Sequence, residues 1–409
     1  MIVNLPKLMQ LTWAETGPEP CRWFPESVPD GLIRVKCAAP VEYADPVAVA
    51  MFAAWAEIWT GRGVRIEIDE SMQSPYAWRS GLLSAVAGRY GRVATPERQV
   101  QAHLRDQSEI EAFLARLGPV LHVPDAATTE AASYCLSELL RNVFEHSGSE
   151  LGAYVAAGYF PRTDRVTIGV VDTGVTIPRH VSRTWEGPVD SRQALEMALE
   201  PGASGSTDRE RNAGLGLYMT RRLVALMGGK FWAYTDGLCA RDDGEIEVGR
   251  RTSLVIESKD SGWSGTCVGL TFHPNRISSY KRELTSVQQE LAGGVLGRGI
   301  DLFRKHAPPG TVVVRVAPDA STLAQNKVRA EEIRRTEILP GLRRGENVSL
   351  DVSGVSLTTQ SYMHALLAEV LRELGAEGTP GRLYVVAASG QVKQVVRIVV
   401  GYILDEMTN

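Results

Sequence analysis

Between Ser137 and Gly148 the chain reads S-E-L-L-R-N-V-F-E-H-S-G, and Glu138, Asn142 and His146 recur every fourth residue. On an α-helix that interval puts an acid, an amide and an imidazole on one face, about one turn apart. Leu139, Leu140 and Val143 fall on another face. Such a helix packs one side on a core and presents polar groups on the other. Alone, the row is what a solvated helix face shows. Two glycine-bearing stretches further along change its meaning.

The first is V170-V171-D172-T173-G174, a β-branched strand ending in an acid. A carboxylate there can accept a hydrogen bond from an exocyclic amine such as that of adenine, and the glycine allows a close backbone approach. A simple Asp-Thr-Gly turn has the same residues. The second runs from Gly202 to Leu217, a glycine- and polar-rich loop that leads into Gly214-Leu215-Gly216-Leu217 and a helix reaching Met227. A G-x-G step opening a helix offers free N–H groups and a positive dipole end, where phosphates bind. Asn142 supplies a hard amide oxygen suited to Mg²⁺. Glu138, one turn away, suits polarising a water or orienting a hydroxyl at a terminal phosphate.

In this order, with a flexible polar loop between the last two, the three stretches resemble the GHKL superfamily. That group includes the ATPase domains of gyrase, heat-shock chaperones, histidine kinases and mismatch-repair proteins, and the anti-sigma-factor kinases. Glu138 to His146 is similar to its N box, Asp172-Thr173-Gly174 to its G1 box, and Gly214-Leu215-Gly216-Leu217 to its G2 box. Gly265-Thr266, before the strand to Phe272, resembles its last glycine-threonine element.

The resemblance implies ATP and Mg²⁺ as ligands. It implies Asn142 as the metal ligand and Glu138 as the base or water-orienting acid. Asp172 would bind adenine, with Gly174 beside the base and Thr266 near it. Gly214 and Gly216 would cradle phosphates, with Leu215 and Leu217 in the same box, and residues 202–213 would form a lid. Thr176 stands where the family usually has a second glycine, which bears on local backbone geometry. His146 is expected to support rather than react, and Arg141 and Arg211 are expected to be solvated. His103 and His122 lack the H-E/D-x-x-x-P setting of a phosphoacceptor helix, so phosphotransfer to histidine is not expected.

Around this centre the sequence alternates short strands and helices, which points to an α/β fold. The expected architecture is a central GHKL-type α/β sandwich, a mixed sheet covered by helices, flanked by smaller α/β units. The boundaries are an N-terminal α/β domain with a helical linker over residues 1–124, the ATP-binding domain over 125–276, a helical linker over 277–299, and an α/β domain over 300–409. Residues 1–30 read as an irregular arm, and 89–127 as charged and mostly helical. Asp45-Pro46 reads as the start of a helix over 46–60, and Thr128 as a cap for the helix to His146. In the C-terminal unit, Ser321 to Ile338 and Thr359 to Leu374 read as helices. Its N-V-S-L-D-V-S-G-V-S-L-T-T-Q-S stretch resembles a STAS-type regulatory domain. In the partners of anti-sigma kinases such a helix start bears the phosphorylated hydroxyl. Thr358, Thr359 and Ser361 are the matching residues here, and helix capping explains the threonines equally. Asp69 and Asp351 each end a strand before a serine-containing loop, a shared pattern between the flanking units.

A net charge of −4 gives no electrostatic case for a nucleic-acid partner. Cys21, Cys37, Cys135, Cys239 and Cys267 are odd in number and scattered, which suits a reduced, cytoplasmic setting. The longest apolar run, Val47 to Trp59, is too short to span a bilayer. The expected partners are therefore ATP and either another protein or a second copy of the chain. The expected function is a nucleotide-dependent switch with slow ATP hydrolysis; the alternative is a serine/threonine kinase acting on a STAS-like hydroxyl.

Overall fold

The longest apolar run becomes helix α1, Pro46–Gly61, capped by Asp45, whose side chain accepts from the backbone N–H of Val47. Every residue from Pro46 to Ala56 is buried. A helix that is apolar all round must lie inside the protein. In this computed structural model, which describes residues 1–5, 8–9, 31–37, 39–87, 99–121, 126–184, 188–200, 216–243, 254–258, 263–276, 282, 287, 300–316 and 323–408, α1 shares one core with two sheets.

The smaller sheet is parallel: β1 (Ile2–Leu5), β2 (Leu32–Cys37) and β3 (Arg65–Ile68), in that order. Residues 2–5 thus correct the expected irregular arm; Val3 and Leu5 alternate into the core. Residues 10–30 lie outside the described residues. The larger sheet has seven strands. They are β4 (Gln99–Leu104), β5 (Ala153–Phe160), β6 (Arg165–Val171), β7 (Lys230–Thr235), β8 (Leu238–Asp242), β9 (Val255–Ser258) and β10 (Thr266–Phe272), ordered β9-β8-β7-β10-β6-β5-β4. Each pairing is antiparallel, where a mixed sheet was expected. Asp236 and Gly237, both at positive φ, close the β7–β8 hairpin with the twist such a two-residue turn needs.

Strand β4 is a second correction, since its segment was expected to be helical. Its apolar residues, Val100, Ala102 and Leu104, have period two, and pairing with β5 supplies the backbone hydrogen bonds. Strands β6 and β10 are buried along their whole length, hence on both faces. Tyr154, Ala156, Val171 and Cys267 join the core of α1. A Cβ on Gly169 of β6 would lie 2.7 Å from Val47 Cα, so α1 crosses the sheet where only glycine fits. Helix α2 (Ala126–Asn142) also packs on β6. It starts at Ala126, so Thr128 lies within it and is not its cap. Two further helices are α3 (Ile177–Thr184) and α4 (Gly216–Leu226).

The chain divides into two compact units, Met1–Leu199 with Thr220–Tyr280, and Glu200–Met219 with Lys281–Asn409. The second unit holds a parallel sheet of β11 (Phe303–Arg304), β12 (Thr311–Arg315), β13 (Asn347–Asp351) and β14 (Leu383–Val386), ordered β11-β14-β13-β12. Helices α5 (Lys327–Ile333), α6 (Gln360–Gly378) and α7 (Gly390–Thr408) share its core. Helix α5 begins six residues later than expected, because Asn326 is its cap and accepts from Arg329 N–H. It continues through a wide turn at 334–338 into Leu339–Arg343, past its expected end at Ile338. Pro340 sits in the first turn of that last segment, where a missing N–H costs little. The linker expected over 277–299 lies almost wholly outside the described residues.

Candidate functional site

Helix α2 positions Glu138 and Asn142 one turn apart, as expected. His146 leaves their row. From Val143 to Ser147 the helix widens into a π-type turn, which shifts everything beyond it round the axis. The turn is held by the Ser147 hydroxyl, which donates to the Val143 carbonyl over 2.8 Å. Gly148, at φ 58°, then ends the helix in the left-handed region.

The strand end of β6 is fastened to this turn at several points. Val175 N–H donates to the Ser147 carbonyl at 2.6 Å. The hydroxyls of Ser149 and Thr173 lie 3.3 Å apart. His146 packs against His180 of α3, ring centroids 4.7 Å apart. Burial, and then the nearby Arg183, hold the His180 imidazole below its usual pKa. A Cβ on Gly174 would stand 2.2 Å from the Ser147 carbonyl oxygen. The glycine requirement at 174 therefore comes from the chain's own backbone.

Asp172 ends β6 with 3 % of its surface exposed. One carboxylate oxygen accepts from Gly174 N–H at 2.8 Å, and its own N–H donates to the Thr266 carbonyl at 2.8 Å. Burial pushes its pKa up to about 7, against the opposing pull of the Gly174 and Thr266 N–H groups. Next to it Gly265, at φ 122°, leaves no room for a Cβ, which would meet the Asp172 carbonyl at 2.2 Å. Thr266, also buried, has its hydroxyl 3.1 Å from that of Thr235, and Thr235 accepts from Ile177 N–H. Asp172, Gly174, Thr266 and the end of α2 thus form one connected structure.

Thr176, where the resembling family has glycine, takes an ordinary negative φ. Its hydroxyl accepts from Arg179 N–H and its carbonyl from His180 N–H, so it opens α3 as a cap. Thr176 thereby fixes the start of α3.

Gly216 and Leu217 begin α4. Gly214, Leu215 and the expected lid, 202–213, lie outside the described residues.

The structure also shows what the spacing did not. Arg141 was expected to be solvated, yet it is buried with Glu138, with Nη1 2.9 Å from a Glu138 carboxylate oxygen. Its Nη2 donates to the Ser137 hydroxyl at 2.7 Å. The i, i+3 and i, i+4 spacings were visible signals, but burial of the pair depends on its neighbours in space. Desolvation makes such a pair a poor source of stability. Its consequence is to orient the Glu138 carboxylate.

The donor set fits a nucleotide. A buried acceptor held only by backbone N–H groups suits an exocyclic amine. A single amide oxygen at Asn142 suits a Mg²⁺ that takes its other ligands from phosphates and water.

Residues 128–275 match the family model described as histidine kinase-, DNA gyrase B-, and HSP90-like ATPase. No curated protein matches the chain. The matched segment carries Glu138, Asn142, Asp172, Gly174 and Thr266.

Proposed function

We propose that the chain is a nucleotide-dependent conformational switch that binds Mg-ATP and hydrolyses it slowly. The observation that supports this best is Asp172, a buried strand-end carboxylate inside the segment that matches the ATPase family. Asp172 accepts from the adenine amine, and Thr266, steadied by Thr235, lies beside the base. Asn142 holds Mg²⁺, and the glycine motif that opens α4 cradles the phosphates. When bound, Mg²⁺ neutralises phosphate charge. Glu138, oriented by Arg141, aligns the attacking water.

The C-terminal unit supports a STAS-like reading through its alternating strands and helices and the Asp351 and Thr359 turns. Phosphotransfer to that unit is the weaker reading. Thr359 caps α6 by accepting from Tyr362 N–H, and Thr358 donates to the Ala324 carbonyl; both are buried.

The test is Mg-ATP turnover by the full chain, with free phosphate and phosphoprotein resolved. The expected result is slow phosphate release that Glu138→Ala abolishes while ATP still binds. Release unchanged in that variant removes Glu138 from the reaction. Phosphate appearing on residues 353–361 instead assigns the chain to the kinases.

A further inference from the structure

The two edges of the four-stranded sheet in the second unit are built in opposite ways. Strand β11 is two residues long and runs into Arg304 and Lys305, both exposed. Its Phe303 is flanked by the cations of Lys393 and Arg397, 5.9 and 5.2 Å from the ring centroid. A short, cationic edge discourages another strand from pairing with it. Strand β12, at the other edge, is longer and carries its cation, Arg315, only at its end. It reads T-V-V-V-R over Thr311–Arg315, with Val312 37 % and Val313 51 % exposed. Among the described residues no strand pairs with its outer side.

The backbone register decides which groups face outward. Val316 N–H donates to the Asp351 carbonyl, so alternate residues Val312, Val314 and Val316 bond to β13. The N–H and C=O of Val313 and Arg315 then face away from the sheet. The Thr311 carbonyl does too, while Thr311 N–H is already used by Pro308.

We propose that β12 pairs antiparallel with β12 of a second copy of this chain, about a two-fold axis at Val313, joining two four-stranded sheets into one. The sequence of the strand is complementary to itself in that register. Val313 faces Val313 and exchanges both of its outward backbone bonds. Arg315 N–H donates to the Thr311 carbonyl of the other copy, so no like charges oppose. Val312, exposed at the edge, meets Val314 of the other copy, extending the apolar face that Val314 already buries. This inference stands apart from the nucleotide reading, since each residue it uses lies in the second unit.

Analytical ultracentrifugation and cysteine cross-linking of the full chain test it. The expected result is a concentration-dependent dimer. Val313→Lys, which sets two ammonium groups against each other, weakens it by at least about tenfold, with an unchanged circular dichroism spectrum because the site is exposed. Across a hydrogen-bonded antiparallel pair the Cα atoms are about 5.5 Å apart, within disulfide reach. Val313→Cys therefore cross-links on oxidation, and Arg315→Cys, which faces Thr311, does not. The background is the unmutated chain, in which Cys37, Cys135 and Cys267 are buried and Cys239 is half-buried. A monomer at every concentration, a dimer indifferent to Val313→Lys, or equal cross-linking of both cysteine variants overturns the proposal. The first of these outcomes leaves the edge to a strand of a different protein.

Discussion

Asp69 and Asp172 end strands in the same local way and end up chemically opposite. Each accepts from the backbone N–H two residues on, Asp69 from Ser71 at 3.0 Å and Asp172 from Gly174 at 2.8 Å. Asp351 repeats the turn with Ser353 at 2.9 Å. At Asp69, with a third of its side chain exposed, the hydrogen bonds from Ser71 dominate and hold the carboxyl below its usual pKa. At Asp172 the same kind of bond is outweighed by burial, and the pKa rises to about 7. The turn is a property of a few residues; the ionisation is a property of what surrounds them.

The comparison is tested most strongly through pH. Asp172 binds its proton more tightly folded than unfolded. The stability it contributes is therefore whole below its unfolded value of 3.8 and is lost as pH rises to about 7. Asp172→Asn removes that loss. Well above pH 7 the variant should be more stable than the parent by up to about 4 kcal/mol, and near pH 3.8 the two thermal denaturation curves should coincide. Asp69 has the opposite sign: its contribution is present above its unfolded pKa and fades as pH falls. A parent protein whose stability is flat between pH 3.8 and 7 breaks the contrast.

Ligand binding is the next test. Asp172→Asn removes a charged acceptor and sets an amide donor against the adenine amine. It should weaken ATP binding by roughly a hundredfold in calorimetry, about 3 kcal/mol. Asp69→Asn should leave the affinity unchanged. In the parent protein affinity should fall as pH drops below about 7, because the nucleotide selects the carboxylate; in Asp172→Asn that dependence should vanish. Equal losses in the two variants would mean that burial does not distinguish these acids.

The glycines that follow the acids sharpen the same point. At Gly174 a Cβ collides with backbone at 2.2 Å, whereas at Gly354, φ 83°, it meets nothing within 4 Å. Gly174→Ala should destabilise the fold by about 2–3 kcal/mol in urea titration. Gly354→Ala should cost about 1 kcal/mol, the strain of the left-handed region alone. Smallest is the helix cap: Thr359→Ala should cost about 1 kcal/mol or less and leave phosphate release unchanged.

Much of the fold was legible because its signals are local. Asp45-Pro46 starts α1 as read, Thr359 caps α6, and the C-terminal strands and helices fall close to their expected places. Strand β4 was misread because charged flanking residues obscured a six-residue alternation that only pairing with β5 makes stable. The row of Glu138, Asn142 and His146 was right for its first two members. It failed at the third because a π-type turn depends on the strand end that docks against it. Arg141 was misread for the same kind of reason: spacing shows that it can reach Glu138, and not that both are buried.

By itself, then, the sequence determined the caps, the Asx turns and the glycine motifs, since each is set by residues within one turn or one strand. The tertiary structure alone decided that α1 lies in a core shared by two sheets, that Gly174 is required by Ser147, that Glu138 is held by a buried Arg141, and that Asp172 differs from Asp69. The physical reason is common to all four. Packing and desolvation are imposed by segments distant in the chain, and no local pattern records which segments those are.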